Sequence, residues 1–139
     1  MRFASLNLLL ALLLVGCAST RSVPEAQQTR RYEVPKDRVM TAVTEALEAE
    51  GYTIDRVDPA SGLITAAPRT AMPLSDPLAG TATQHLRAQV TDAGPGAELT
   101  LAIDWTREQG YARSTPMAVR AADAQAAYET LFARIESQF

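Results

Sequence analysis

Residues 99 to 105 read Leu-Thr-Leu-Ala-Ile-Asp-Trp, with Leu99, Leu101, Ile103 and Trp105 on every second position. A strand turns successive side chains to opposite faces, so this alternation predicts a strand with one buried face. Arg107 or Glu108 is its expected end. The residues before it repeat the pattern, with Leu86, Ala88 and Val90 sharing one face. Between the two runs lies Asp-Ala-Gly-Pro-Gly, residues 92 to 96, whose residue types close a hairpin. A second hairpin is expected over residues 52 to 68. Tyr52, Ile54 and Arg56 alternate with Thr53, Asp55 and Val57, Asp-Pro-Ala-Ser-Gly supplies the turn, and Leu63 to Ala67 returns. A short strand over residues 30 to 34 carries Tyr32 and Val34, and Pro35 stops it.

Two stretches change to the helical period. Over residues 36 to 50, Val39, Val43, Ala46 and Leu47 share one face with Met40 beside them. Asp37, Arg38, Thr41, Glu45 and Glu48 fall opposite, and Gly51 is placed to stop the helix in the left-handed conformation. At the C-terminus Tyr128, Leu131, Phe132, Ile135 and Phe139 form the second apolar stripe, behind an alanine-rich run from 118 to 127. Ser114 or Thr115 is the expected cap of that helix, with Pro116 at its first position and residues 110 to 116 as a connection. The order β-α-β-β-β-β-α predicts an α+β two-layer sandwich: an antiparallel sheet with one polar face, covered on the other by two helices.

Residues 68 to 84, Pro-Arg-Thr-Ala-Met-Pro-Leu-Ser-Asp-Pro-Leu-Ala-Gly-Thr-Ala-Thr-Gln, keep neither period. Three prolines argue against a central strand or helix interior, so a long loop is expected. Met72, Leu74 and Leu78 in that loop are candidate contacts for a partner, or else tuck back onto the core. Trp105 is a further candidate contact at the end of its strand, with packing at the core edge as its alternative role.

The chain carries 13 basic and 16 acidic residues, a formal net charge of -3, and Lys36 is its one lysine. The signs are interspersed and no basic block is present, so no nucleic-acid partner is expected. Catalytic sets are missing as well. His85 is the one histidine and Cys17 the one cysteine, which leaves no ordinary zinc set and no Cys-His or Ser-His pair in motif context. Alternation turns His85 away from Leu86 and Ala88, toward solvent. Asp55 and Asp58 read as the shoulder of a hairpin. No catalytic residue, metal or cofactor is expected.

The first seventeen residues have the parts of an export signal: Arg2, then an unbroken apolar run from Leu8 to Val15, then small residues around Cys17. The run is about half the roughly 20 residues that cross a bilayer as a permanent helix. Leu14-Val15-Gly16-Cys17 resembles the lipobox of bacterial lipoproteins. The resemblance implies acylation of Cys17, removal of residues 1 to 16 as a signal peptide, and anchoring in a membrane through the acyl chains. Ala18, where an aspartate tends to retain such proteins in the inner membrane, implies the outer membrane of a Gram-negative cell, facing the periplasm. Residues 17 to 29 are then the lipidated N-terminus and a tether reaching roughly 40 Å when extended. Residues 30 to 139 form one domain. Arg30 and Arg31 at its start are candidates to touch anionic head groups.

Within the domain, Tyr-Glu-Val-Pro at 32 to 35, Gly-Tyr-Thr-Ile-Asp at 51 to 55 and Ser-Gly-Leu-Ile-Thr-Ala at 61 to 66 also carry a likeness. Together with the helix through Leu47 they resemble the helix-grip domains of the C lipoprotein of the outer-membrane β-barrel assembly machinery. That family has two such domains where this chain has one, and its domains act through protein contacts without catalysis. The resemblance implies a non-catalytic domain that binds another envelope protein, as an accessory or scaffold. The alternative is a small periplasmic carrier or chaperone holding a lipid or peptide between helix and sheet.

Overall fold

The computed structural model describes residues 28–70, 81–108, 114–117 and 119–139. The elements are β1 (Thr29–Tyr32), α1 (Lys36–Ala49), β2 (Ile54–Asp58), β3 (Leu63–Thr70), β4 (Thr81–Ala93), β5 (Gly96–Glu108), β6 (Ser114–Pro116) and α2 (Ala121–Glu136). All strand pairs are antiparallel, in the order β1-β5-β4-β3-β2, with β6 also pairing β5. The α+β sandwich expected from the sequence is the fold observed.

The core lies between the helices and one face of the sheet. Ile64 and Ala66, Leu86, Ala88 and Val90, and Ala97, Leu99, Leu101 and Ile103 alternate inward from β3, β4 and β5. Val39, Val43, Ala46 and Leu47 of α1 meet them, as do Tyr128, Leu131, Phe132 and Ile135 of α2. Phe132 is the largest side chain that is fully buried. Burying a side chain of this kind contributes about 1.5–3 kcal/mol, so the two helical stripes hold the layers together. On the opposite sheet face Arg87, Glu98 and Asp104 are exposed, and no described element covers them.

Both turns predicted for the hairpins are present, and each has a local cause. Asp58 Oδ1 accepts from the backbone N–H of Ala60 and Ser61, which folds the chain back at the β2–β3 turn. Gly94 takes φ +67° beside Pro95 in the two-residue β4–β5 turn, as a glycine-first hairpin turn demands. Gly51, at φ +82°, ends α1: its N–H donates to the Glu48 carbonyl and the next N–H, of Tyr52, donates to that of Leu47.

Three expectations are corrected. The strands flanking residues 71 to 80 are longer than the sequence pattern suggested, because β3 continues to Thr70 and β4 begins at Thr81. Between Ala66↔Leu86 and Arg69↔Gln84, β3 carries one residue more than β4. That bulge holds Pro68, which has no N–H to give a ladder. Residues 114 to 116 are not a helix cap; they form β6 against the outer edge of β5, and Met117 N–H donates to the Trp105 carbonyl. The second helix therefore starts at Ala121, with Arg120 at its N-cap. At the start of the domain Arg30, which stays partly exposed, also makes contacts within the fold. Its guanidinium pairs with Glu136 at 2.5 Å and lies 4.3 Å from the centre of the Phe132 ring.

Candidate functional site

Two places on the described surface bring unlike groups together. The first is a groove between α1 and the β2–β3 hairpin, about 540 Å³ in volume, lined by Asp37, Met40, Thr41, Thr44, Glu45, Val57 and Pro59. The helix supplies one wall through positions one turn apart, Asp37, Met40, Thr41, Thr44 and Glu45. Val57 and Pro59 supply the other. Met40 is buried in the floor, whereas Val57 stays 43% exposed, one of two large hydrophobic side chains so exposed among the described residues. The other, Phe139, rests its ring 5.0 Å from that of Tyr32. Thr41 and Thr44 turn their hydroxyls back to the carbonyls of Asp37 and Met40, which leaves their methyl groups to the groove. Asp37 and Glu45 stand on its rim, and neither is in an ion pair with a described residue.

The second place is polar and lies at the far end of α1. Glu50, Tyr52, Arg69, Gln84, Thr130 and Leu131 are among the residues lining a cavity of about 270 Å³ there. The β3 bulge puts Arg69 there. One extra residue shifts the alternation, so Arg69 comes to pair with Gln84 on the core side of the sheet. Its Nε donates to Gln84 Oε1 at 3.1 Å, its Nη1 donates to the Glu50 carbonyl at 2.5 Å, and its guanidinium lies 3.8 Å from the centre of the Tyr52 ring. The Tyr52 hydroxyl donates to the same Gln84 oxygen at 3.1 Å. Burial raises the Tyr52 phenol above its ordinary value, opposed by the charge on Arg69 and reinforced by that on Glu50.

This cluster reads first as a cap. The last turn of α1 has no basic residue of its own, although its carbonyls carry partial negative charge. Arg69 reaches that end from β3, and Arg134 reaches it from α2 through a 2.8 Å contact with Glu50. Both guanidinium groups therefore join separate elements at one helix terminus.

The residues singled out in the sequence do not converge on either place. Cys17, Met72, Leu74 and Leu78 lie outside the described residues. Trp105 sits half-buried against the edge of the core, facing Gln84 across β4 and β5. His85 is on the open sheet face as expected, yet half-buried, with Nε2 2.9 Å from the Thr106 hydroxyl. Asp58 is a turn builder: hydrogen bonds from Ser61 above all, and the charge of Arg56, hold its carboxyl below the usual range. Sequence reasoning missed the groove because Val57 falls on the polar side of the β2 alternation. The signal was present in Met40, an apolar residue beside the main stripe of α1. Among the described residues no three His, Cys, Asp or Glu side chains come together as a metal site would need, and no helix is long and apolar enough to cross a membrane.

No protein-family model matches the chain, and no curated protein matches it. Among solved structures, the crystal structure of a DUF4468 family protein from Bacteroides ovatus ATCC 8483 is similar. The TM-score is 0.52 at 12% sequence identity, over 84% of this chain and 89% of that chain. At that identity the likeness shows a shared fold and nothing finer.

Proposed function

We propose that the chain is a non-catalytic lipoprotein of the outer membrane, anchored by acyl chains on Cys17, whose periplasm-facing domain docks on another envelope protein. The observation that carries the anchor is the run from Leu8 into Leu14-Val15-Gly16-Cys17. Two or three acyl chains on one residue bind a membrane far more firmly than one, since each buried methylene adds about 0.8 kcal/mol. Docking is supported by an open, apolar-floored groove between α1 and the β2–β3 hairpin. Palmitate labelling of the wild type against Cys17→Ser tests the anchor. Label and membrane fractionation should both be lost in the variant; equal labelling refutes the proposal. Among the described residues every core residue lies between Tyr32 and Ile135, so the variant should keep the wild-type melting temperature. Crosslinking in intact cells tests docking, and failure to capture any reproducible partner sinks it. Native mass spectrometry separates the carrier alternative, in which lipid or peptide copurifies with the domain.

A further inference from the structure

We infer that the groove, together with the outer edge of β2, takes an extended segment of another protein that carries basic residues and adds to the sheet as a further strand. The inference deepens the docking proposed above and rests on it. β2 ends the strand order and pairs only with β3 among the described residues. The Asp58 carbonyl accepts from Gly62 N–H across the hairpin. Neighbouring residues of a strand turn their backbone groups to opposite sides, so the N–H and C=O of Val57 point outward. The edge is only partly protected. A bulge between Ile54 and Arg56 and the proline at 59 interrupt it on either side, which leaves the short stretch around Val57. Directly beside that stretch, α1 offers Met40 as an apolar floor. An unpaired strand edge flanked by a helix is what strand addition uses: main-chain hydrogen bonds bind, and a pocket selects alternate side chains.

Charge selects the occupant. Asp37 and Glu45 line the groove, Asp55 is exposed on β2, and no arginine or lysine is among the lining residues. The one lysine of the chain, Lys36, donates to the Ala60 carbonyl at 3.3 Å. Arg56, the arginine beside Val57 on β2, is already paired with Asp58 at 3.0 Å, so the acidic rim of the groove is not matched by it. A segment with an apolar residue facing Met40 and arginine or lysine on either side meets the opposite sign.

The test uses the whole chain in detergent micelles. The probes are two synthetic decapeptides alternating valine and threonine, one ending in arginine at both termini and the other in glutamate. The basic peptide should bind about tenfold more tightly, with the preference weakening as salt rises. The Val57 amide should shift and gain protection from hydrogen exchange. Asp37→Asn combined with Glu45→Gln should remove the preference. Val57→Pro, which deletes an outward N–H, should abolish binding of either peptide. Should that variant unfold, a basic peptide N-methylated at alternate residues asks the same question of the unaltered chain and should not bind. Equal affinity for the two peptides, undiminished binding of the methylated peptide, or shifts confined to other strands would each overturn the inference. So would self-association of the chain through β2. Partners crosslinked in cells through another face, with Val57 unmoved by peptide, would overturn this inference and leave docking standing; no crosslink on any face would overturn both.

Discussion

At Gly62 an ideal β-carbon would lie 1.9 Å from the carbonyl oxygen of Val90, and φ is +76°. The two backbones touch there, because Val90 N–H also donates to the Gly62 carbonyl at 2.8 Å. Gly51 has a similar φ, +82°, but its nearest neighbour would be one end of the Arg69 side chain, at 3.9 Å. The two glycines therefore separate conformational strain from steric exclusion. Gly51→Ala should cost about 1 kcal/mol, the left-handed penalty alone. Gly62→Ala should cost about 3 kcal/mol or more, since the β2–β3 turn must move off β4. Urea denaturation of both variants measures the difference; equal losses would mean that the turn slides away from Val90 without resistance.

Elements are joined in this fold by side chains that arrive from elsewhere in the sequence, and the C-terminus of α1 shows it best. Arg69→Ala removes a hydrogen bond to buried Gln84, one to the Glu50 carbonyl and the stacking on Tyr52, and should cost about 2 kcal/mol. Arg69→Lys keeps the charge but loses the planar fork, and should recover less than half of that. Hydrogen exchange in the last turn of α1 should speed up in both, whereas a merely global loss would accelerate all of α1 alike. None of this was legible in the sequence. The alternation from Leu63 to Ala67 identified β3, but the extra residue at Pro68 changes the phase, so period-two reading ended the strand too early and left Arg69 in a loop. The same limit hid β6, whose three residues are too few for any period and which forms because β5 offers an edge. Long periodic runs were legible because burial imposes them residue by residue. The stripes of α1 and α2 and the alternation of β4 and β5 therefore fell at the expected positions, except that Phe139 lies past the end of α2 and is exposed. What depends on one added residue or on a distant neighbour leaves no period to read, and the groove beside Val57 belongs to that class.

Across the whole molecule, three buried or half-buried phenols stand at three different joints. The Tyr52 hydroxyl ties the end of α1 to β4 through Gln84. The Tyr128 hydroxyl of α2 accepts from Ile103 N–H of β5 at 2.9 Å, inside the core. The Tyr32 ring lies between β1 and the C-terminal residues, with its hydroxyl 3.4 Å from Glu136. Burial raises all three phenols above the ordinary value of 10.0, and the nearby charges of Glu136, Glu50 and Asp104 add to the rise. The sign of the linkage follows. Below pH 10 the phenols are neutral in both states and stability is unaffected. Above it the unfolded chain loses these protons first, so stability is lost as pH rises from 10 toward the raised folded values. Because the joints connect both helices to the sheet, the three should not ionise one at a time in the folded state. In a Tyr111→Phe background, which removes the one tyrosine outside the described residues, tyrosinate absorbance and the loss of helical circular dichroism should then rise together in one alkaline transition. Tyr128→Phe should shift that transition upward in pH if the reduced linkage outweighs the lost bond to Ile103, a balance that its neutral-pH stability measures directly. Stepwise ionisation with the fold intact would show that the phenols reach water without unfolding, and that the layers are held by the apolar stripes alone.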